Sequence, residues 1–296
     1  MTRLTRLSVV AVLALATLVS GCATFKAIEP FPAQTDPVAI TVSEEPPSAM
    51  SDMPIGVYQV AEGALYLSGH QQGQAAGLMF GLLGVAIVHG ANQDAGRERV
   101  KDAEAALRTR LVEGTRAMLE QKLARAHGPR PIAAPGTKGR STLEVTPYVV
   151  LSFVSDTHAR PYVILRTRLL EGTEERWWTR YVVAVAEDRP VGGADGWAAE
   201  QGEPLRRAVR GGLDYGLDLM LKDVAGGLPR ATGKRAKVKG QYAFVRAELE
   251  LEGDVLEETP ERIVFAPQVG DVVVFAGVNA FDKKSVLIGP PAPKQQ

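Results

Sequence analysis

One cysteine, Cys22, serves a chain of 296 residues, so no disulfide can form within it and no cluster of thiolates can hold a metal. The four histidines, His70, His89, His127 and His158, are scattered, with no pair at i, i+4 to suggest a zinc site. Surplus charge is also missing. With 34 Lys and Arg against 34 Asp and Glu, the chain lacks the basic footprint of a nucleic-acid-binding protein. "GEPLRRAVRGG" and "GLLGVAIVHG" lack the Lys-Ser/Thr signature and the strand-Gly-helix context of a phosphate cradle, and no Gly-x-Ser-x-Gly elbow presents a serine nucleophile. The longest internal apolar run, Ala75 to Val88, would make a helix of about 21 Å against a bilayer core of about 30 Å, which is short for a span.

The amino terminus carries the clearest pattern that is present. Arg3 and Arg6 are followed by the apolar stretch Leu7 to Val19 and then by small residues, the anatomy of a secretion signal over residues 1–21. Val19-Ser20-Gly21-Cys22 resembles the lipobox of bacterial lipoproteins. That resemblance implies cleavage between Gly21 and Cys22 and a covalent diacylglycerol and N-acyl lipid on Cys22, with no other cofactor expected. Ala23 in place of Asp implies the outer membrane, with the body on its periplasmic face and membrane lipid as a partner through Cys22. Cleavage would leave 32 basic and 34 acidic residues, so nucleic acid is not an expected partner.

Residues 22–54 are rich in proline and read as a lipidated tether, about twenty residues of which could hold a body tens of ångströms from a bilayer. Within it Val38 to Val42 has the pattern of an edge strand. Residues 55–230 read as an α+β domain, in which an antiparallel sheet is covered by helices on one side. "IGVYQV" and "ALYLSG" flank a hairpin turn at Ala61-Glu62-Gly63. A helix is predicted from Asn92 to Ala126, its apolar stripe running through Val100, Ala103, Leu107, Leu111, Gly114 and Met118. Three alternating segments then predict a meander, with Leu143, Val145, Val149, Leu151 and Phe153 on one face of the first strand. The opposite face, with Arg166, Arg168 and Arg180, is expected to be partly wet. A second helix carries Leu205, Val209, Leu213, Leu217, Met220 and Val224, and its Gly211, Gly212 and Gly216 call for close approach to the sheet. Residues 231–296 read as a small β-rich module and tail, either separate or an extension of the first sheet.

Three readings of "GQAAGLMFGLLGVAIVHGANQ" compete. It predicts a helix over residues 73–91 whose Gly73, Gly77, Gly81 and Gly84 allow another backbone to come close. The spacing resembles glycine-zipper segments of some outer-membrane lipoproteins and toxins, which implies contact with a membrane or another subunit. The other readings are a helix packed on the protein's own sheet and an irregular Gly-rich loop.

The order of strand, helix, three-strand meander and helix over residues 38–228 is similar to periplasmic accessory lipoproteins, namely the transport-auxiliary lipoproteins and the amino-terminal domain of the Tol-Pal translocation protein. No catalytic residues follow from it. Asp156 and His158 read as a surface turn, and Glu174-Glu175 and Glu257-Glu258 as solvated charges. The expected role is a non-catalytic assembly or scaffolding lipoprotein with an envelope protein partner or a homo-oligomeric state. The alternatives are a glycine-zipper protein that inserts into membranes and a periplasmic hydrolase with an unrecognised site.

Overall fold

The computed structural model describes residues 29–33, 36–47, 52–72, 81–125, 132–133, 140–229, 233–268 and 275–291. The elements are β1 (Ala39–Val42), β2 (Tyr58–Gln59), β3 (Leu65–Ser68), α1 (Gly81–Val100), α2 (Glu104–Leu107), α3 (Val112–Leu123), β4 (Ser141–Phe153), β5 (His158–Glu171), β6 (Glu174–Ala184) and β7 (Arg189–Pro190). They continue with α4 (Ala199–Val224), β8 (Arg235–Gln241), β9 (Glu248–Glu258), β10 (Arg262–Pro267), β11 (Val278–Asp282), a 3₁₀ turn and β12 (Val286–Gly289). Among the described residues the strands form one sheet of 12, in the order β12-β8-β9-β10-β11-β6-β5-β4-β3-β2, with β1 on β4 and β7 on β5.

That sheet is mixed, which corrects the expected antiparallel one. β4, β5 and β6 do form the antiparallel meander, because short turns join them. β1 and β3, however, both run parallel to β4, and β11 runs parallel to β6. The cause is connectivity: β3 reaches β4 only through the segment holding α1 to α3, and a long crossover permits parallel pairing where a hairpin does not. The β11–β6 pairing also makes the carboxyl-terminal strands an extension of the first sheet.

Alternation along β4 to β6 produces two cores. Val149, Leu151, Val163, Leu165, Tyr181 and Val183 pack with Leu205, Val209, Leu213, Leu217, Met220 and Val224 of α4. Tyr148, Val150, Tyr162, Ile164 and Val182 point the other way, into a second core with Val238, Val255, Ile263, Phe265 and Phe281. Much of this face is covered, because the sheet rolls on itself and brings β8 to β11 over it, and Arg180 is buried, whereas Arg166 and Arg168 stay partly exposed as expected. Side chains tie the roll together: Tyr162 donates to the Gln241 carbonyl at 2.9 Å, and Ser68 to the Phe244 carbonyl at 2.9 Å.

The helix predicted from Asn92 to Ala126 is broken into the end of α1, α2 and α3. Between α2 and α3 the chain extends at Arg108, and the Thr109 carbonyl accepts from the Ala64 amide at 2.8 Å, fastening the chain to the hairpin. Leu111 is buried as its place in the stripe implies, but the restart shifts the rest of the stripe from Gly114 and Met118 to Thr115 and Leu119. Of Gly211, Gly212 and Gly216 in α4, Gly212 is the one that needs its lack of a side chain. A Cβ on Gly212 would lie 2.5 Å from Val163 Cγ2 and one on Gly216 3.4 Å from Leu165 and Val183, whereas Gly211 faces open space.

The described part of the expected tether lies against the body. Phe31 is buried edge-on against Trp177 at 5.0 Å, and the Trp177 indole donates to the Glu29 carbonyl at 3.1 Å. β1 takes its place beside β4, and Asp52 and Met53 are buried.

Candidate functional site

β1 and β3 lie end to end along the same edge of β4, the first opposite residues 142–145 and the second opposite 149–152. Between them, among the described residues, no strand pairs with the β4 edge, and the gap opens into a groove of about 440 Å³. The backbone directions explain why a proline sits there. The Val145 carbonyl accepts from Ser43 at 2.9 Å and the Val149 amide donates to Ala64 at 2.9 Å, so odd residues of β4 address this edge. Pro147 falls between them, at the one place where a missing N–H costs no ladder bond.

Pro46, Pro47, Ala64, Leu111, Val112 and Pro147 give the groove apolar walls. Carboxylates stand at its rim, held in exposed ion pairs: Glu44 with Arg116 at 3.3 Å, Glu62 with Arg108 at 3.3 Å and Glu45 with Arg168 at 3.5 Å. Two rim hydroxyls are engaged locally, since Thr109 donates to the Leu107 carbonyl at 3.0 Å and Ser43 accepts from the Glu45 amide at 3.2 Å. Such a site can bury a short apolar or extended segment and hold it by shape.

Behind the groove, cross-strand register lines up Thr146, Arg166 and Arg180 on neighbouring strands. Asp52 covers this row. Arg180 donates to Asp52 Oδ1 at 3.4 Å, and Arg166 Nε makes an ion contact with the same oxygen at 2.7 Å. Arg180 is fully buried, its guanidinium 5.4 Å from the Trp178 ring centre. A carboxylate shared by two guanidiniums offsets their mutual repulsion in a low-dielectric setting, where unopposed charge is costly. Tyr66, a groove residue, packs edge-on against Tyr148 at 5.8 Å. Burial, with Tyr148 and Asp52 adding to it, pushes the Tyr66 hydroxyl up to about 12. Tyr148 is also pushed up to about 12, because burial and Asp52 outweigh Arg180 and Arg166. Both phenols therefore stay neutral.

Cys22 and Gly21 lie outside the described residues, as do Gly73 and Gly77. Gly81 and Gly84 lie within α1. The histidines the sequence scatters are in part reunited: His70 and His89 both meet the interface of α1 with the β2–β3 hairpin. Asp156 forms an ion pair with Arg246 at 2.8 Å in an exposed turn. Glu257 and Glu258 are held by lysines, and hydrogen bonds from Lys234 and Lys283 bring Glu258 down to about 2. Asp52 gave no sequence signal, whereas Arg180 could have been found from its place beside Arg166 on an alternating strand. Among the described residues no three His, Cys, Asp or Glu side chains converge as metal ligands do, and no helix is long and apolar enough to cross a membrane. Compared with protein-family models, with curated proteins and with solved structures, the chain finds no match.

Proposed function

We propose that the protein is a lipoprotein of the bacterial outer membrane, facing the periplasm, with a non-catalytic assembly or scaffolding role. The observation that carries this reading is Val19-Ser20-Gly21-Cys22 at the end of an apolar, arginine-led leader. The architecture supports it as an α+β body with helices over one face of the sheet and carboxyl-terminal strands over the other. Its sheet-edge groove offers apolar walls, which suits capture of a segment of an envelope protein. Acyl labelling tests the anchor: the wild type should incorporate lipid at Cys22 and fractionate with the outer membrane, and a Cys22→Ser variant that still did so would overturn it.

A second reading, membrane contact or oligomerisation through Gly73, Gly77, Gly81 and Gly84, draws on one observation. His89 and Asn92 fasten α1 to the hairpin and its flanks on the carboxyl-terminal side of these glycines. Replacing Gly77 and Gly81 with Leu should abolish membrane-resistant oligomers, and unchanged oligomers would reject it.

A further inference from the structure

The attachment of α1 to the β2–β3 hairpin is built from polar contacts that involve two histidines, one buried and one serving as an acceptor. Asn92 clamps Gln72, accepting from its amide at 2.8 Å and donating to its carbonyl at 3.0 Å. The Asn92 carbonyl lies 2.9 Å from His70 Nε2. A carbonyl only accepts, so this contact places a proton on His70 Nε2, and in the neutral ring Nδ1 is then bare. Nδ1 is buried and has no hydrogen-bond partner, and the residue is 4% exposed. On the other side the Gly56 amide donates to His89 Nδ1 at 3.0 Å, which requires that nitrogen to be unprotonated. The two elements also press together without slack: a Cβ on Gly96 would lie 2.6 Å from Tyr58 Cβ and 2.8 Å from His70 Nε2.

We propose that His70 and His89 make this attachment an acid-sensitive latch, which holds α1 on the hairpin when both rings are neutral and loosens when they gain protons. A proton on His89 Nδ1 removes the acceptor of the Gly56 amide. A proton on His70 Nδ1 creates a buried cation. Around His70, α1 contributes Arg99 and Arg97, which stand over the rings of Phe153 and Tyr58 at 4.9 and 5.8 Å, while Asp94 and Glu98 are exposed. The hairpin contributes Tyr58, whose hydroxyl donates to Glu104 of α2 at 2.9 Å. The turn after β4 contributes Asp156, whose carbonyl accepts from Arg99 at 2.8 Å and whose carboxylate pairs with Arg246. Burial is the largest influence on His70 and lowers its pKa. The Asn92 carbonyl opposes it most, Arg99 acts with it, and the backbone of Ser68 and Gly56 opposes it more weakly.

The sign follows. A histidine whose folded pKa is lowered below 6.5 stabilises its contacts above pH 6.5 and ceases to do so as the pH falls toward the folded value. The His70 side of the latch is therefore closed at neutral pH and opens as the pH falls, while the two apolar cores remain folded.

Hydrogen exchange of the full-length protein at pH 7.5 and 5.0, corrected for intrinsic rates, tests this. Protection of residues 56–72 and 88–100 should fall by about tenfold or more, a change equivalent to one pKa unit, while residues 143–151 and 205–224 keep theirs. In a His70→Gln, His89→Gln variant the pH dependence should disappear, because glutamine stays neutral. Equal protection at both pH values in the wild type would overturn the proposal, as would a fall that persists in the double variant. If that variant fails to fold, ring carbon shifts of the wild-type histidines decide: a His70 that titrates at or above 6.5 without disturbing the amide of Asn92 overturns the proposal, and one that titrates lower together with that amide supports it.

Discussion

The Tyr181 hydroxyl donates to the Asp223 carboxylate at 2.7 Å inside the core, joining β6 to the last turn of α4. The bond is charge-assisted and shielded from water, so Tyr181→Phe should destabilise the protein by about 1.5 to 3 kcal/mol. Urea unfolding measures the loss, which should appear in the midpoint without a change of slope.

Gly212 and Gly211 are neighbours with opposite expectations. Gly212→Ala forces a methyl group against Val163 and should cost about 1 to 3 kcal/mol, only partly offset by better helix propensity. Gly211→Ala meets open space and should stabilise by about 0.5 to 1 kcal/mol. Adding Val163→Ala to Gly212→Ala should recover part of the loss, which a double-mutant cycle detects.

Removing the carboxylate that Arg166 and Arg180 share leaves two guanidiniums facing each other beneath the segment around Asp52. Asp52→Ala should therefore cost about 3 to 5 kcal/mol. Replacing Arg166 and Asp52 together should cost less than the sum of the single changes, and calorimetry of the three variants gives the comparison.

Glu258 should remain ionised far below the ordinary carboxylate range. Its folded pKa of about 2 is held down by Lys234 and Lys283, so its stabilising contribution is present above pH 4.5 and lost as the pH falls through about 2. Carboxyl carbon shifts followed by NMR should show this, and Lys283→Met should move the midpoint upward.

If the groove receives a partner segment, filling it should block capture without harming the fold. Val112→Trp on the groove wall should reduce crosslinks to envelope proteins in intact cells several-fold, with the circular dichroism spectrum unchanged.

Much of the fold is legible in the sequence wherever alternation or helical period governs burial. The stripe from Leu205 to Val224 and the face from Leu143 to Phe153 both reach the core as their spacing implies. What local pattern cannot carry is pairing between distant strands. Nothing near Leu65 or Val278 announces that their strands run parallel to β4 and β6, because that depends on what the intervening chain does. The break at Arg108 is hidden for a similar reason: Leu107 and Leu111 fit one helical face, and only the hydrogen bond offered by Ala64 favours an extended link. The groove could not be read from Pro147, since a proline in a β-like run marks an edge without saying which strands stop short of it. The charge row behind it was half legible, as Arg166 and Arg180 lie in alternating strands but Asp52 comes from an irregular segment.

The packing of Phe31 on Trp177 sets the length of the leash. If Cys22 carries lipid as proposed, only six residues separate the anchor from Glu29, whose carbonyl the Trp177 indole holds. Fully stretched, they span at most about 25 Å, against the several tens of ångströms that a free proline-rich tether would allow. The body would then ride close to the inner leaflet surface, and a partner fixed at the far side of the periplasm would have to reach toward it.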